Sequence, residues 1–265
     1  MRITSRNSRF QQWEALLGNR TKRRRAGEFL VHGVRPISLA VEHGWPIRAL
    51  LYDAGRRLSG WADTLLREVR GAETVAMAPE LLAELGEKGE AAPELIAVVA
   101  MPEDSLDRIA VRDDFLGVLF DRPTSPGNIG SILRSADAFG ASGLIVSGHA
   151  ADVYDTKSVR ASTGSLFALP AVRVPSHHEV LEWLAAHPAV QVVGTDEKGE
   201  RAVYHHDFTR PTLLLVGNET SGLSTAWRDR CDVLVSIPMT GAASSLNAAN
   251  AATAVLYEAA RQRRT

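Results

Sequence analysis

The feature of the sequence that most constrains its fold is a series of continuous apolar segments in the second half of the chain. Segments of six or seven mostly apolar residues lie at 115–121, 143–148, 168–174, 190–196, 212–218 and 232–238. A strand with one face in water alternates apolar and polar residues, whereas a strand covered on both faces is apolar throughout. The sequence therefore predicts an α/β domain built on a parallel sheet.

The first part of the chain also alternates strands with helices. Strands are predicted at 28–33, 47–53, 73–78 and 94–100, and helices at 34–44, 57–71 and 79–85. Residues 101–114 contain Pro102, many charges and little periodicity, which is typical of a linker. We therefore expect one layered α/β domain over residues 1–105 and another over 106–265, although 265 residues could also fold as one large α/β unit.

The composition excludes several classes of protein. Apolar runs of the length needed for a membrane span do not occur, and the start of the chain has basic residues without the apolar run of a signal peptide. The single cysteine, Cys231, cannot form an internal disulfide. We expect a cytoplasmic protein, because an isolated cysteine is typical of a reducing compartment.

Positive charge is concentrated at the start of the chain. Residues 1–35 hold nine Lys or Arg and two acids, a balance of +7, and the other 230 residues therefore carry −8 of the total of −1. Such a block indicates a surface for a polyanion such as nucleic acid, although a solvated N-terminal segment would have the same composition. The candidate RNA-binding residues are Arg20, Lys22, Arg23, Arg24, Arg25 and Arg35.

The loop after the segment at 115–121 is the first of three that could carry chemistry. Gly127 and Asn128 open a predicted helix (127–139), whose free N–H groups favour an anion. Arg134 lies off the apolar stripe of that helix. It could bind a phosphate or act beside a reacting hydroxyl, or it could form only an i,i+3 ion pair with Asp137.

The second loop follows the segment at 212–218. Gly217 allows a ligand to approach the strand end closely, and Glu219 could orient a hydroxyl or a cation there. The alternative is an acid at an ordinary helix start, with Ser221 or Ser224 as the cap.

The third loop follows the segment at 232–238 and leads into a predicted helix at 245–262. Small residues in this loop permit a close backbone approach to another helix or to a flat ligand. Ser245 and Asn247 could bind a substrate through hydrogen bonds, although Ser245 could also be an ordinary N-cap.

Together the three loops resemble the signature motifs of the SpoU branch of the SPOUT methyltransferases, which methylate a ribose 2′-hydroxyl of RNA. The matching stretches are NIGSILRSADAFGASGLIV, LLLVGNETSGLS and IPMTGAASSLNAANAA, in the family's order, and the resemblance covers residues 115–262. The first domain is similar to the L30e-like RNA-binding domain that many of these enzymes carry. The opening of the chain is similar to the subgroup that methylates a uridine ribose of 23S rRNA and confers antibiotic resistance.

The resemblance implies a fold, a cofactor and a set of site residues. The parallel sheet would contain a deep C-terminal trefoil knot, a rare exception to the rule that chains do not thread loops. S-adenosylmethionine would be the cofactor, ribosomal RNA the substrate, and the active site would be completed across a homodimer. The implied catalytic residues are Asn128, Arg134, Glu219, Ser245 and Asn247. The implied cofactor-binding residues are Thr195, Gly217, Ile237, Met239 and Leu246.

Other α/β enzymes fit the sequence less well. Neither the G-x-G-x-x-G pattern of a nicotinamide oxidoreductase nor the glycine-rich loop of a classical methyltransferase follows a predicted strand. The pairs His177–His178 and His205–His206 lack a partner at metal-ligand spacing, and we interpret them as surface residues. Cys231 lacks the motif of a nucleophile, and burial is the simpler interpretation. The alternative that stays open is an RNA-binding or ribosome-assembly module without catalysis.

Overall fold

The computed structural model describes residues 1–86 and 92–264 of the chain. These form two compact units. The first contains Met1–Pro102 together with Tyr154–Ala168, and the second contains Glu103–Val153 and Leu169–Thr265. Nothing in the sequence pattern indicated that a segment from the second half of the chain belongs to the first unit.

Ten of the twelve strands in the described residues match predicted segments, and the other two, Arg2–Ile3 and Arg201–Ala202, were not predicted. In chain order they are β1 (Arg2–Ile3), β2 (Glu28–His32), β3 (Ile47–Asp53), β4 (Glu73–Met77), β5 (Leu95–Ala100), β6 (Leu116–Asp121), β7 (Gly143–Ser147), β8 (Ala171–Val174), β9 (Gln191–Thr195), β10 (Arg201–Ala202), β11 (Thr212–Val216) and β12 (Val233–Ser236). The strand predicted from residue 168 begins later, because a short helix ends at Ala168 and Pro170 precedes the strand.

The helices include several that the sequence interpretation did not assign. In chain order they are α1 (Ser8–Gly18), α2 (Arg20–Ala26), α3 (Val34–Glu42), α4 (Gly60–Glu68), α5 (Pro79–Leu85), α6 (Pro126–Ala138), α7 (Thr156–Ala161), α8 (Ser165–Ala168), α9 (His177–Ala185), α10 (Thr225–Arg228) and α11 (Ala248–Arg263). Of the helices in the described ranges, none is both long enough and apolar enough to span a lipid bilayer.

The first unit is built on a mixed sheet with the strand order β1-β4-β3-β5-β2. β4 runs parallel to β1 and β3, whereas β5 runs antiparallel to β3 and β2. The side chain of Asn7 caps α1 by accepting from the Phe10 N–H at 2.9 Å. The helix then buries Phe10, Trp13 and Leu16 against apolar residues of this sheet.

An aromatic cluster joins α8 and Tyr154, two residues before α7, to the rest of the first unit. The ring of Phe29 lies 4.8 Å from that of Tyr154 and 6.3 Å from that of Phe167, measured between centroids. Trp45 packs edge-on against Phe167 and donates its indole N–H to the Phe167 carbonyl at 3.0 Å. Burial of large rings contributes strongly to packing energy, which explains why this segment groups with the first unit.

The second unit is built on a sheet with the order β10-β12-β9-β11-β6-β7-β8, and all of its strand pairs are parallel. The prediction of a parallel sheet from continuous apolar segments is therefore confirmed. Because the strands are parallel, the ends of β9, β11 and β12 lie at one edge, where α/β proteins bind ligands. The trefoil knot stays a prediction.

Candidate functional site

A cavity of about 530 Å³ lies at the carboxyl ends of β9, β11 and β12 in the second unit. This volume is within the range of small-molecule sites. All five predicted cofactor-binding residues line it: Thr195, Gly217, Ile237, Met239 and Leu246. The three strand ends therefore bring together residues that are up to 51 positions apart, from Thr195 to Leu246.

The cavity wall combines apolar and charged groups. Val216, Ile237 and Leu246 contribute apolar surface, while Asp196 and Lys198 are among the charged residues that line it. The remaining charged lining residues are Glu197, Glu219 and Arg228. Such a wall suits a ligand that has a flat apolar part and groups of both charges.

The charged residues at the end of β9 were not predicted to belong to the site. Asp196 pairs with Arg228 and also accepts the Lys198 backbone N–H at 2.8 Å. Asp196 is the last residue of the predicted segment 190–196 and directly follows β9, so the rule that ligands bind at strand ends could have identified it. Arg228 lies on α10, and no pattern in the sequence indicates its position.

Glu219 is the centre of a hydrogen-bond network beside the cavity. Its carboxylate accepts from the Thr124 N–H and hydroxyl, both at 3.0 Å, from the Ser125 N–H at 3.1 Å, and from the Asn128 side-chain amide at 3.0 Å. Burial by itself would raise the pKa of Glu219, but these donors outweigh burial, and the pKa lies below its ordinary value. Glu219 is therefore a carboxylate at neutral pH.

The predicted anion site at the start of α6 is filled by a group of the protein itself. The helix begins at Pro126, with the Ser125 hydroxyl accepting from the Asn128 N–H. The N–H group of Ser125 points at Glu219. The helix dipole favours a carboxylate near a helix N-terminus. The Glu219 carboxylate therefore occupies the position where a ligand anion was expected, although Glu219 lies 91 residues from Asn128 in the sequence.

Asn247 connects the third loop to the same network. Its amide donates to the Asn128 side-chain oxygen at 3.1 Å, and its own oxygen accepts from the Ala249 N–H at 2.9 Å. Asn247 is therefore the N-cap of α11, which begins at Ala248 rather than near Ser245 as predicted. Ser245 is exposed and lines the cavity instead.

Arg134 lies apart from the network. It is exposed on α6, six residues after Asn128, and is not among the residues that line the cavity. Its neighbour Ser135 bonds to Thr253 of α11 at 2.6 Å, so Arg134 flanks the packed pair of α6 and α11. Within one chain, Asn128, Glu219 and Asn247 are linked by hydrogen bonds, and Ser245 lines the cavity beside them. Arg134 does not belong to this group.

The six candidate RNA-binding residues differ in their exposure to solvent. Lys22, Arg24 and Arg25 on α2 are exposed, as is Arg35 on α3, while Arg20 is half-buried. Arg23 is only 1% exposed.

Arg23 donates to the Leu16 and Leu17 carbonyls at 2.6 and 3.1 Å, and it pairs with Asp155 at 3.4 Å. The inclusion of Arg23 in a surface for RNA is therefore wrong, because its guanidinium is occupied inside the first unit.

The remaining titratable candidates do not form a metal or nucleophilic site. Among the described residues, His, Cys, Asp and Glu form no group of three or more that could hold a metal ion. His206 is buried rather than on the surface as predicted, and burial is the main cause of its lowered pKa. Burial also raises the pKa of the Cys231 thiol to about 11. Cys231 is therefore protonated at neutral pH and is a poor nucleophile.

Two family models match the chain. The SpoU L30e-like domain matches residues 7–97, within the first unit. The SpoU rRNA Methylase family matches residues 116–257, which contain the cavity and the Glu219 network.

Relatives and solved structures are similar over nearly the whole chain. A 23S rRNA (uridine(2479)-2′-O)-methyltransferase of Streptomyces viridochromogenes is 74% identical over 99% of this chain and 92% of that protein. The crystal structure of the SpoU methyltransferase AviRb from the same organism, in complex with AdoMet, has a TM-score of 0.95 at 73% identity, with 98% of this chain and 99% of that chain covered. An AdoMet-bound rRNA methyltransferase from Sinorhizobium meliloti has a TM-score of 0.88 at 29% identity, with 98% and 97% covered.

Proposed function

The chain belongs to the SpoU rRNA methylase family, and we propose from this membership that it transfers a methyl group from S-adenosylmethionine to the 2′-hydroxyl of a uridine ribose in 23S rRNA. The observation that carries the proposal is the cavity at the strand ends, with the network of Asn128, Glu219 and Asn247 at its side. The 74% identity to an enzyme named for this reaction supports the choice of nucleotide and rRNA.

The residues of the cavity suit S-adenosylmethionine, which supplies an activated methyl group when bound. Ile237, Met239 and Leu246 provide an apolar wall for a flat base. The charged residues near Asp196 and Lys198 provide partners for the amino and carboxylate groups of a methionine. Thr195 and Gly217 belong to the same set, and we assign all five predicted residues to cofactor binding.

The network beside the cavity positions the ribose. Glu219 fixes the Asn128 amide, and Asn128 in turn fixes the Asn247 amide, so that neither amide is free to rotate. We assign these three residues and Ser245 to orienting the 2′-hydroxyl against the methyl donor. Correct orientation alone can account for much of the barrier reduction in a two-substrate reaction.

We assign to Arg134 an electrostatic role in the reaction. An arginine side chain is fixed as a cation, so Arg134 is suited to bind a phosphate of the RNA and to stabilise the developing alkoxide. Since it lies outside the cavity of its own chain, we propose a homodimer in which Arg134 of a second copy completes the site. The exposed Tyr257 on α11, packed against Phe139 at 5.9 Å between ring centroids, supports a contact surface on this helix pair.

The first unit is proposed to bind the RNA, and the protein to act in the cytoplasm where ribosomes are. The exposed Lys22, Arg24, Arg25 and Arg35 support this assignment, together with the match to an L30e-like domain. Methylation of the ribosome is further proposed to lower susceptibility to a ribosome-targeting antibiotic.

Titration with S-adenosylmethionine and assay of methyl transfer to 23S rRNA test the proposal together. We expect one binding site per chain, and one new ribose methyl group in rRNA mapped from cells that express the protein. Arg134→Ala should abolish turnover while cofactor affinity stays within about twofold, because Arg134 does not line the cavity. The control Arg230→Ala, an exposed arginine outside the lining, should retain activity. An RNA-binding module without catalysis would bind rRNA but neither bind the cofactor nor methylate.

Mixing two inactive variants tests whether the site is shared between subunits. In a heterodimer of Arg134→Ala and Glu219→Ala, one of the two sites would contain both native residues. Random mixing should therefore restore about a quarter of the wild-type activity, since half of the dimers are mixed and each has one intact site. A mixture that stays inactive, although subunit exchange is verified by mass spectrometry, would place Arg134 in its own chain's site.

A further inference from the structure

Arg122 stands out because its backbone is left-handed and its side chain contacts the second motif loop. Its φ angle is +50°, a region that residues other than glycine rarely adopt. The residue directly follows β6, and its N–H donates to the Ser147 carbonyl at the end of β7 at 3.0 Å. Such a conformation persists only where surrounding contacts hold it.

The contacts of Arg122 run to both ends of the turn that carries Glu219. Its guanidinium donates to the Gly222 carbonyl at 3.1 Å. Its own carbonyl accepts from the Asn218 side-chain amide at 2.7 Å. Asn218 and Gly222 are the two ends of that turn, and they exchange backbone hydrogen bonds of 3.0 Å in both directions.

Asp121 fixes the orientation of the Arg122 guanidinium. This carboxylate is only 2% exposed and accepts from the Arg122 Nε at 3.1 Å. It also accepts from the Ser224 N–H at 2.8 Å, on the far side of the turn. The planar guanidinium thus bridges a buried carboxylate and a backbone carbonyl, an arrangement that suits its forked donors.

The turn held in this way forms one wall of the cavity. All of its residues, from Asn218 to Gly222, line the cavity. The turn is also closely packed, because a Cβ atom on Gly217 would lie 2.4 Å from the Gly222 carbonyl carbon. A shift of the turn would therefore move both the cavity wall and the Glu219 carboxylate.

We propose that Arg122, oriented by Asp121, is a positioning residue that sets the Asn218–Gly222 turn in the geometry required for cofactor binding and for the Glu219 network. This inference rests on the proposed function of the cavity. Arg122 is not itself among the residues that line the cavity, so its effect passes through the turn. Arg122 is the first residue after β6, in the first motif loop, and its role is indicated only by its hydrogen bonds.

Replacement by glycine separates positioning from overall stability. Arg122→Gly removes the side chain but relieves the unfavourable φ angle, so the fold should be retained. Arg122→Lys keeps the positive charge but lacks the fork that reaches Asp121 and Gly222 together. Arg230→Gly is the matched control, because Arg230 is exposed and lies outside the cavity lining.

Three quantities are measured for each variant: the Kd for S-adenosylmethionine by calorimetry, the melting temperature, and kcat and KM on an rRNA fragment. For Arg122→Gly we expect the Kd to rise about tenfold or more, equivalent to about 1.4 kcal/mol. The kcat should fall with it, while the melting temperature and the KM for RNA stay near wild type. Arg122→Lys should be intermediate, and Arg230→Gly should match the wild type.

Two results would overturn the inference. In one, Arg122→Gly binds the cofactor within about twofold of wild type. In the other, every loss of affinity in the glycine and lysine variants is matched by a proportional loss of melting temperature. If the glycine variant does not fold, the lysine variant is judged by the same criteria. A wild-type protein that does not bind S-adenosylmethionine would instead refute the proposed function, which keeps the two failures apart.

Discussion

Residues of one chemical type have different roles in this protein according to their burial and partners. Arg23 and Arg24 are neighbours in the sequence, yet Arg23 is enclosed by two carbonyls and Asp155 while Arg24 is exposed. The surroundings of Cys231 likewise set the protonation state of its thiol. Desolvation by burial, with Asp232 nearby, favours the neutral thiol over the thiolate.

The thiol of Cys231 is predicted to react slowly in the folded protein. A pKa raised from 9.0 to about 11 lowers the thiolate fraction near pH 8 about 100-fold. Labelling with iodoacetamide at pH 8 should therefore be slower by about that factor than labelling of the urea-unfolded chain. Comparable rates in the two states would contradict the pKa.

The same pKa shift predicts how stability depends on pH. Because the folded pKa is raised, the contribution of the thiol is fully present below the unfolded pKa and is lost as pH rises toward about 11. The free energy of unfolding should decline above about pH 9, and part of this decline should be absent in Cys231→Ala.

At the scale of elements, the ends of helices are where distant parts of the second unit are joined. The start of α6 meets Glu219, and the start of α11 meets Asn128 through Asn247. The last turn of α11 is held in a comparable way. Arg263 donates to the carbonyls of Phe208, Phe115 and Arg210 at 2.8 to 3.0 Å, and also to that of Asp114.

Removal of these bonds should destabilise the second unit. Arg263→Ala leaves several backbone carbonyls without their charged donor, and we expect a loss of about 2–3 kcal/mol in the free energy of unfolding. Arg264→Ala, at an exposed position next to it, should change that energy by less than about 0.5 kcal/mol. Urea denaturation followed by tryptophan fluorescence measures both, and equal effects would show that the carbonyl contacts of Arg263 contribute little.

In the molecule as a whole, the excess positive charge and the proposed catalytic residues lie in different parts of the chain. The first 35 residues carry +7 in a chain whose total is −1, whereas the cavity and the Glu219 network belong to the second unit. If the basic segment binds RNA as proposed, mutations should separate RNA binding from chemistry on the ribose. Phosphate contacts release counterions, so their number can be measured from the salt dependence of binding.

Replacement of Lys22, Arg24 and Arg25 by alanine should weaken rRNA binding and make its salt dependence less steep. Each lost phosphate contact should lower the slope of log K against log salt by about 0.7–0.9. A variant with Arg48, Arg57 and Arg70 replaced removes the same charge from other exposed positions of the first unit and is the control. Identical slopes for the two triple variants would show that α2 does not contact RNA. Arg23 is left unchanged in both, because its replacement would disturb the fold.

Local sequence patterns were enough to predict most strands of the second unit, and resemblance to the SpoU family was enough to identify its motif loops. Continuous apolar runs predicted β6, β7, β9, β11 and β12 to within about two residues at each end, because periodicity and length are local properties. The resemblance to the SpoU family implied five cofactor-binding residues, and all five line one cavity. They lie close together because the ends of parallel strands meet at one edge of the sheet. α1 was not predicted, although its buried residues Phe10, Trp13 and Leu16 recur at helical spacing.

The partner of each polar group could be identified only from the folded chain. Several features depend on residues about 90 or more positions apart in the chain: the ion pair of Arg23 with Asp155, the placement of Tyr154–Ala168 in the first unit, the carboxylate at the start of α6, and the hydrogen bond from Arg122 to Gly222. A hydrogen bond requires its donor and acceptor to meet at a specific distance and angle. Local sequence spacing does not indicate which distant residues meet in this way. The side chain of Arg134 is the clearest case, since its motif position was readable while its location, exposed and outside the cavity of its own chain, was not.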